Sequence, residues 1–282
     1  MARPAVTHPG APAGFLTTAL CVPQWQGSSA PSARRLSVGA HRTAALLPAD
    51  RVVTVPVRDD PGEFDQGVKA LDVLVANLRA TEAALATIEG QVFTAGGECG
   101  VDLAPITAAH ARYGDDLTVL WFDAHPDLYT PRTLPSGSFH GMVLRTLLGD
   151  GPAPLVPADP LRPPQVILAG VRAGDRTEHE YLAHTGIRAH GVADLESAVE
   201  GLSGPVYVHI DLDVLDPASF ASVGYPEPAG VTPDRLATLL ATLDTVVGAA
   251  ITEHAPAEGP PDTTEAEIIR GLATALRFSR AS

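Results

Sequence analysis

The sequence predicts a three-layer α/β protein, with a central, mainly parallel β-sheet covered by helices on both faces. Three observations lead there. Short β-rich runs alternate with Ala- and Leu-rich stretches at helical spacing, the pattern that builds parallel sheets through crossover helices. Pro and Gly punctuation is spread along the chain rather than gathered into one linker, with no internal repeat or charge run. The 282 residues, 45% of them hydrophobic, suffice for a sizeable core, so one domain over residues 1–282 is expected.

Taken in order, strands are predicted at Val52–Val57, Val92–Ala95, Leu117–Phe122, Gln165–Val171, Val206–Ile210 and Val246–Thr252, where β-rich apolar runs occur. Leu71–Ile88 is the clearest helix and Glu265–Phe278 the second, while His110 sits on an apolar helix before the Leu117 strand. The opening MARPAVTHPGAPAGFLTTALCVP lacks a charged n-region followed by a continuous apolar core, and nothing later approaches the length of a membrane span. A soluble, cytoplasmic protein is therefore expected, without a membrane partner. Cys21 and Cys99 are too few for a disulfide framework and fit a reducing compartment. A net charge of −14 argues against a nucleic-acid partner, whose phosphates are bound by clustered Lys and Arg.

In open parallel sheets, ligands collect at the carboxyl ends of the strands. Here the acidic residues follow the apolar runs directly. Thr118–Phe122 leads into Asp123-Ala-His125-Pro-Asp127, Val206–Ile210 into Asp211-Leu-Asp213, Val92–Ala95 into Gly96-Gly97-Glu98-Cys99, and Gly248–Thr252 into Glu253. In an extended chain alternate side chains point the same way, so Asp123, His125 and Asp127 can converge, as can Asp211 and Asp213. Four carboxylates crowded with one imidazole repel one another unless cations lie between them. Such donors suit hard or borderline divalent ions such as manganese, and there are enough of them for two. Either motif alone is more often a solvated turn or cap; the pair of motifs, each at a strand end, favours metal.

WFDAHPDLYTP with SGSFHG, then HIDLDVLDPASF with GYPEPAGVT, then TEHAP, resembles the arginase/agmatinase (ureohydrolase) family in order and spacing over roughly residues 92–256. The resemblance implies the arginase/deacetylase-like fold, two Mn2+ ions, and hydrolysis of a guanidino C–N bond by a hydroxide bridging the metals. It also implies roles. Asp123 and Asp211 would be shared between the metals, with Asp127 completing the first set and accepting a hydrogen bond from the hydroxide. His125 and Asp213 would complete the second set. Glu253 matches the carboxylate that receives the guanidinium, and His140 the histidine that shuttles a proton to the leaving amine. Asp175 and Glu178 match acidic residues that face an α-amino group.

Where the family has Gly-Gly-Asp-His, with the histidine on the first metal, this sequence has Gly96-Gly97-Glu98-Cys99. A thiolate there exchanges a neutral ligand for a softer, anionic one, so another divalent metal can compete at that position. A small buried strand-end cysteine is the bland alternative. Cys99 resembles a side branch of the family, the Nω-hydroxy-L-arginine hydrolase of D-cycloserine biosynthesis, which implies antibiotic biosynthesis and release of ornithine and hydroxyurea. Tyr129, Leu134 and Ser136 occupy the positions that hold an α-carboxylate in arginases, and Ser136 alone keeps its type. Recognition of that carboxylate then falls to the Tyr129 hydroxyl or to Arg132, against a plain packing role for Tyr129.

Among the other histidines, His110 reads as structural, and His209, preceding Asp211, is expected to point away from the metal side. His8, His41, His184 and His190 have no acidic partner at ligand spacing, while His179 and His254 flank site residues. The competing functions are a plain arginase, agmatinase or formiminoglutamase-like hydrolase, a single-metal deacetylase-like enzyme, and a non-catalytic binding homologue. Arginases commonly trimerise through an extended C-terminal tail, whereas this sequence stops soon after its last helix, at Arg280-Ala-Ser282; an arginase-type trimer is not expected.

Overall fold

The computed structural model of the chain describes residues 16–278. Most of the amino-terminal stretch weighed as a leader, His8 within it, and the Arg280–Ser282 tail lie outside the described residues. Among the described residues there are eight strands: β1 (Thr17–Val22), β2 (Arg51–Thr54), β3 (Gln91–Gly96), β4 (Thr118–Phe122), β5 (Val166–Ala169), β6 (Arg188–His190), β7 (Val206–Asp211) and β8 (Val246–Thr252). They form one sheet in the order β2-β1-β3-β8-β7-β4-β5-β6. Every pairing is parallel.

Parallel strands need crossovers, and helices supply most of them: α1 (Arg35–Ala44), α2 (Leu71–Leu85), α3 (Leu103–Tyr113), α4 (Val143–Leu147), α5 (Arg176–Thr185), α6 (Pro233–Leu240) and α7 (Thr263–Ala275). The strands' alternation divides the core into two layers. Leu120 and Phe122 of β4, with Val206, Val208 and Ile210 of β7, pack on one face with α1, α6 and α7. Val119, Trp121 and Tyr207 face the opposite way, toward α2, α3 and α4. The expected three-layer α/β architecture is therefore present.

Several boundaries differ from the sequence reading. β1 was not predicted, although its TTALCV run is buried along nearly its whole length. The three-residue edge strand β6 was also missed, being too short and too exposed to carry a period. α2 stops at Leu85 rather than Ile88. α7 begins at Thr263, where the Asp262 side chain accepts from the backbone N–H groups of Thr264 and Glu265.

The ends of three strands are tied together at Gly97. Its N–H donates to Val22 O at 2.9 Å and its carbonyl accepts from Glu253 N at 2.7 Å. A Cβ here would sit 1.7 Å from the Gln24 carbonyl oxygen, and backbone held by two neighbouring strands cannot yield. Gly97→Ala is expected to destabilise the protein by at least ~3 kcal/mol, the upper end usual for overpacking, seen as a lower urea midpoint at unchanged slope.

Candidate metal centre

β3, β8, β7 and β4 are contiguous in the middle of the sheet, and their carboxyl ends deliver the functional side chains side by side. Cys99 follows β3, Glu253 follows β8, Asp211 closes β7 with Asp213 just beyond, and Asp123 to Asp127 follow β4. Asp123, Asp127, Asp211, Asp213, Glu253 and Cys99 are all buried.

Asp123, His125 and Asp127 converge, but not by extended alternation. The chain turns as soon as β4 ends: His125 N donates to Asp123 Oδ1 at 2.6 Å, and Asp127 takes the left-handed region at φ 54°. Asp211 and Asp213 behave alike, with Asp213 N donating to Asp211 Oδ1 at 2.7 Å at the start of a 3-10 turn. Glu253 is also left-handed, at φ 62°. Such backbone costs roughly 1–3 kcal/mol per non-glycine residue and persists where the surroundings enforce it. Arg145 N on Asp127 O and Glu253 N on Gly97 O hold the two residues in place.

Two groups of donors result. In one, His125 Nδ1 lies 3.0 Å from Asp213 Oδ2 and 3.5 Å from Asp123 Oδ1. In the other, Cys99 Sγ lies 3.1 Å from Asp211 Oδ2, and Cys99 N donates to Glu253 Oε1 at 3.2 Å. Ligand atoms of Asp123, His125 and Asp213, and likewise of Cys99, Asp211 and Glu253, fall within 4.8 Å of one another. Asp127 belongs to neither group. It lies beside Asp123, and its Oδ2 is buried without a hydrogen-bond partner, as is Glu253 Oε2.

Burial, then mutual repulsion, pushes the Asp127 and Asp211 carboxyls well above the usual carboxylate range. The buried Cys99 thiol is raised likewise by burial and then by Asp211. Burial also opposes ionisation of Asp213, but His125 outweighs it and holds that carboxyl low. His125 loses basicity to burial and regains more from Asp213, ending raised. Buried carboxyl groups with orphaned oxygens, together with one imidazole, form a candidate site for divalent cations, and the donor chemistry fits them.

Glu98 is buried beside this cluster and accepts from Gly100 N at 2.7 Å and from the Gln24 amide. Burial above all lifts it from 4.5 to about 7. A carboxyl raised in the folded state stabilises fully below its unfolded value, and that contribution is lost as pH rises through the folded value. Glu98→Gln is expected to flatten the pH dependence of stability between 4.5 and about 7; an unchanged slope in urea melts would contradict this.

A cavity of about 240 Å3 opens onto the cluster, lined by His125, Asp127, Tyr129, Ser136, His140 and Tyr225 among others. His140 Nδ1 lies 3.1 Å from Glu253 Oε1. Burial opposes its protonation, the Glu253 carboxylate favours it more, and the net shift is upward. Tyr129 lines the wall with its hydroxyl engaged by Glu178. Ser136 bonds to Ser138 Oγ at 3.0 Å.

Asp175 and Glu178 do not line this cavity. Asp175 is exposed and caps α5, and Glu178 completes that capping box while accepting from Leu128 N at 3.0 Å. The Glu178 carboxylate thus holds the loop after Asp127, and that of Asp175 closes the first turn of α5. Arg132 is exposed over a different groove.

His209 corrects the sequence reading. Positions 209 and 211 are two apart on one strand, so alternation places them on the same face, and the ring is fully buried behind the cluster. His110 is structural as expected, buried with Nδ1 3.2 Å from Asp159 O. Tyr225 and Glu227 were missed. Tyr225 packs on His140 at 5.2 Å between centroids, and Glu227 Oε1 lies 3.7 Å from His125 Nε2. Both come from the GYPEPAG loop, whose sequence offered a family motif but no spacing to a partner.

A parallel sheet whose central strand ends converge on buried carboxylates, an imidazole and a thiol defines an α/β protein with a candidate site for divalent metal. The arginase family model matches residues 33–276, and the chain belongs to the arginase family. It is 31% identical over 196 residues to the arginase of Bacillus subtilis (strain 168), an alignment covering 63% of this chain and 66% of that protein. The chain thus spans just under two thirds of that relative's length. The structure of Entamoeba histolytica arginase in complex with L-ornithine superposes with a TM-score of 0.80 at 20% identity, covering 92% of this chain and 97% of that one. Bacillus caldovelox arginase also gives 0.80, at 21% identity, covering 95% and 99%. These structures support the fold. No helix among the described residues is long and apolar enough to cross a membrane.

Proposed function

We propose that this chain is a binuclear metal-dependent amidinohydrolase that cleaves the guanidino C–N bond of Nω-hydroxy-L-arginine, giving ornithine and hydroxyurea. The observation that carries the reading is the pairing of the buried carboxylate cluster with the buried thiol of Cys99, 3.1 Å from Asp211 Oδ2. Asp123, His125, Asp127, Asp211, Asp213 and Cys99 would hold two divalent ions, manganese by donor type. Bound there, such ions activate water as a nucleophile near neutral pH.

The protein's own groups do the rest. Glu253 receives the guanidino group through Oε2, the oxygen left without a partner, in a charge-assisted pairing. Its other oxygen fixes His140, which is placed to carry a proton to the departing amine. Asp127 Oδ2, also unpartnered, accepts a hydrogen bond from the attacking water. Tyr129, Ser136 and Tyr225, which line the cavity, would border the far end of the substrate.

Cys99 separates this reading from plain arginase. A thiolate adds negative charge to the centre, and the weakly basic N-hydroxyguanidine needs less charge stabilisation than arginine to reach the nucleophile. This chemistry fits antibiotic biosynthesis in the cytoplasm, where the two buried thiols, both free, stay reduced. Comparative kinetics on arginine, Nω-hydroxy-L-arginine, agmatine and N-formimino-glutamate test it, with the highest kcat/KM expected for Nω-hydroxy-L-arginine. Clear preference for any other overturns the substrate, and Cys99→His is expected to shift preference toward arginine.

A further inference from the structure

Directly behind the cluster lies a second buried polar chain that the reading above leaves unused. His209 is fully buried and stacks flat on Trp121, with ring centroids 3.5 Å apart and planes at 6°. The two rings are register partners on β7 and β4, and Trp121 Nε1 donates to Asp123 Oδ2 at 2.9 Å. The ring therefore cannot turn away from the carboxylates without disrupting the sheet's core.

One edge of His209 is anchored. Nδ1 lies 2.8 Å from Asp102 Oδ2, and the other oxygen of Asp102 accepts from Tyr207 Oη at 2.5 Å. An aspartate receiving both donors fixes the tautomer, with the proton on Nδ1 and the lone pair on Nε2. That lone pair is poorly served. Its recorded partner, Thr252 Oγ1, is 3.4 Å away and lies equally 3.4 Å from Ile210 O and from Cys99 Sγ. One hydroxyl proton cannot serve both Nε2 and Ile210 O, and each of those two contacts is at the outer limit of a hydrogen bond.

The other groups before Nε2 are metal-binding donors. Ligand atoms of Cys99, Asp123 and His209 lie within 4.8 Å of one another, all buried. A histidine whose far nitrogen is fixed by a carboxylate while the near one faces anionic donors has the arrangement of a metal ligand with its supporting group.

We propose that His209 is itself a metal ligand, its Nε2 joining Cys99 and Asp123 on one of the two ions, with Asp102 and Tyr207 as positioning residues. This rests on the two-metal reading given above. It gives the Cys99 thiolate a neutral nitrogen donor as companion, so the ion keeps an imidazole although the strand-end position holds sulfur.

The test uses the full chain, freed of metal and reloaded with Co2+ as probe. Through-bond proton shifts in NMR reach only rings bound directly to the paramagnetic ion. Two histidine rings carrying them are expected, His125 and His209, the latter through an Nδ1 proton that exchanges slowly because it is buried against Asp102. A single shifted ring with Co2+ bound overturns the proposal while leaving the two-metal reading intact, whereas failure to bind Co2+ at all overturns both. In variants, Asp102→Asn is expected to weaken one of the two Co2+ sites by roughly 10–100-fold, the usual cost of losing such support, and His209→Gln, which removes the ligand itself, by at least as much. Unchanged affinity at both sites in a folded His209→Gln protein overturns the proposal.

Discussion

Asp127→Asn is expected to cut turnover by roughly 10^2–10^4-fold, the usual worth of a group that handles the nucleophile's proton, while raising the melting temperature of the metal-free protein. The two effects share a cause. Asp127 is buried beside Asp123 with Oδ2 unpartnered, and burial followed by Asp123 pushes its carboxyl far up. A carboxyl so raised stabilises the fold below the ordinary range near ~4, and that contribution is lost as pH rises through the folded value. At neutral pH without metal the unfolded chain ionises this group more readily than the fold does, so the carboxyl costs stability. Asn keeps the shape, removes the charge, and tolerates the left-handed φ of 54° as readily as Asp does. Melting curves on metal-free protein at pH 7 and at pH 4 check the sign: the variant's advantage is expected at the higher pH and should shrink at the lower. A variant of unchanged turnover, or one that melts lower without metal at pH 7, would contradict the assigned role.

For Glu253→Gln the expected loss in kcat/KM is roughly 10^2-fold, near the ~3 kcal/mol upper end of a hydrogen bond to a charged group. The replacement loses the anion that faces the guanidino group. It also loses the anion that holds His140, whose protonated form depends on Glu253 to offset burial. The pKa of His140 should fall in the variant, moving the alkaline limb of the pH-rate profile to lower pH. Metal content should fall less than in Asp127→Asn if Glu253 serves the substrate rather than the ions. Unchanged kcat/KM with an unmoved profile would remove Glu253 and His140 from the mechanism together.

Much of this site was legible because strand and ligand lie adjacent in sequence. Thr118–Phe122 and Val206–Ile210 announce buried parallel strands, and the acids after them fall at the carboxyl edge by topology alone. Local geometry was less legible. Asp127 reaches the cluster through a left-handed turn rather than extended alternation, which a two-residue period cannot foresee. His209 was misjudged by counting, since an i, i+2 pair shares a face. Tyr225 and Glu227 approach the histidines from a loop about a hundred residues further along the chain, and only tertiary packing joins them. Asp175 went the other way: in sequence it has the look of a substrate contact, but its carboxylate closes the first turn of α5. β1 is hard to read because its short apolar run directly follows a Pro- and Ala-rich opening that gives it no distinct boundary.

Metal stoichiometry of the purified full chain tests the central claim most directly. Equilibrium dialysis against Mn2+, followed by elemental analysis, is expected to give two ions per chain, with fewer retained by Asp127→Asn. One ion per chain would place the protein with the single-metal deacetylase-like reading, and none would leave the buried carboxylates of Asp123, Asp127, Asp211 and Asp213 without the cations on which the account depends.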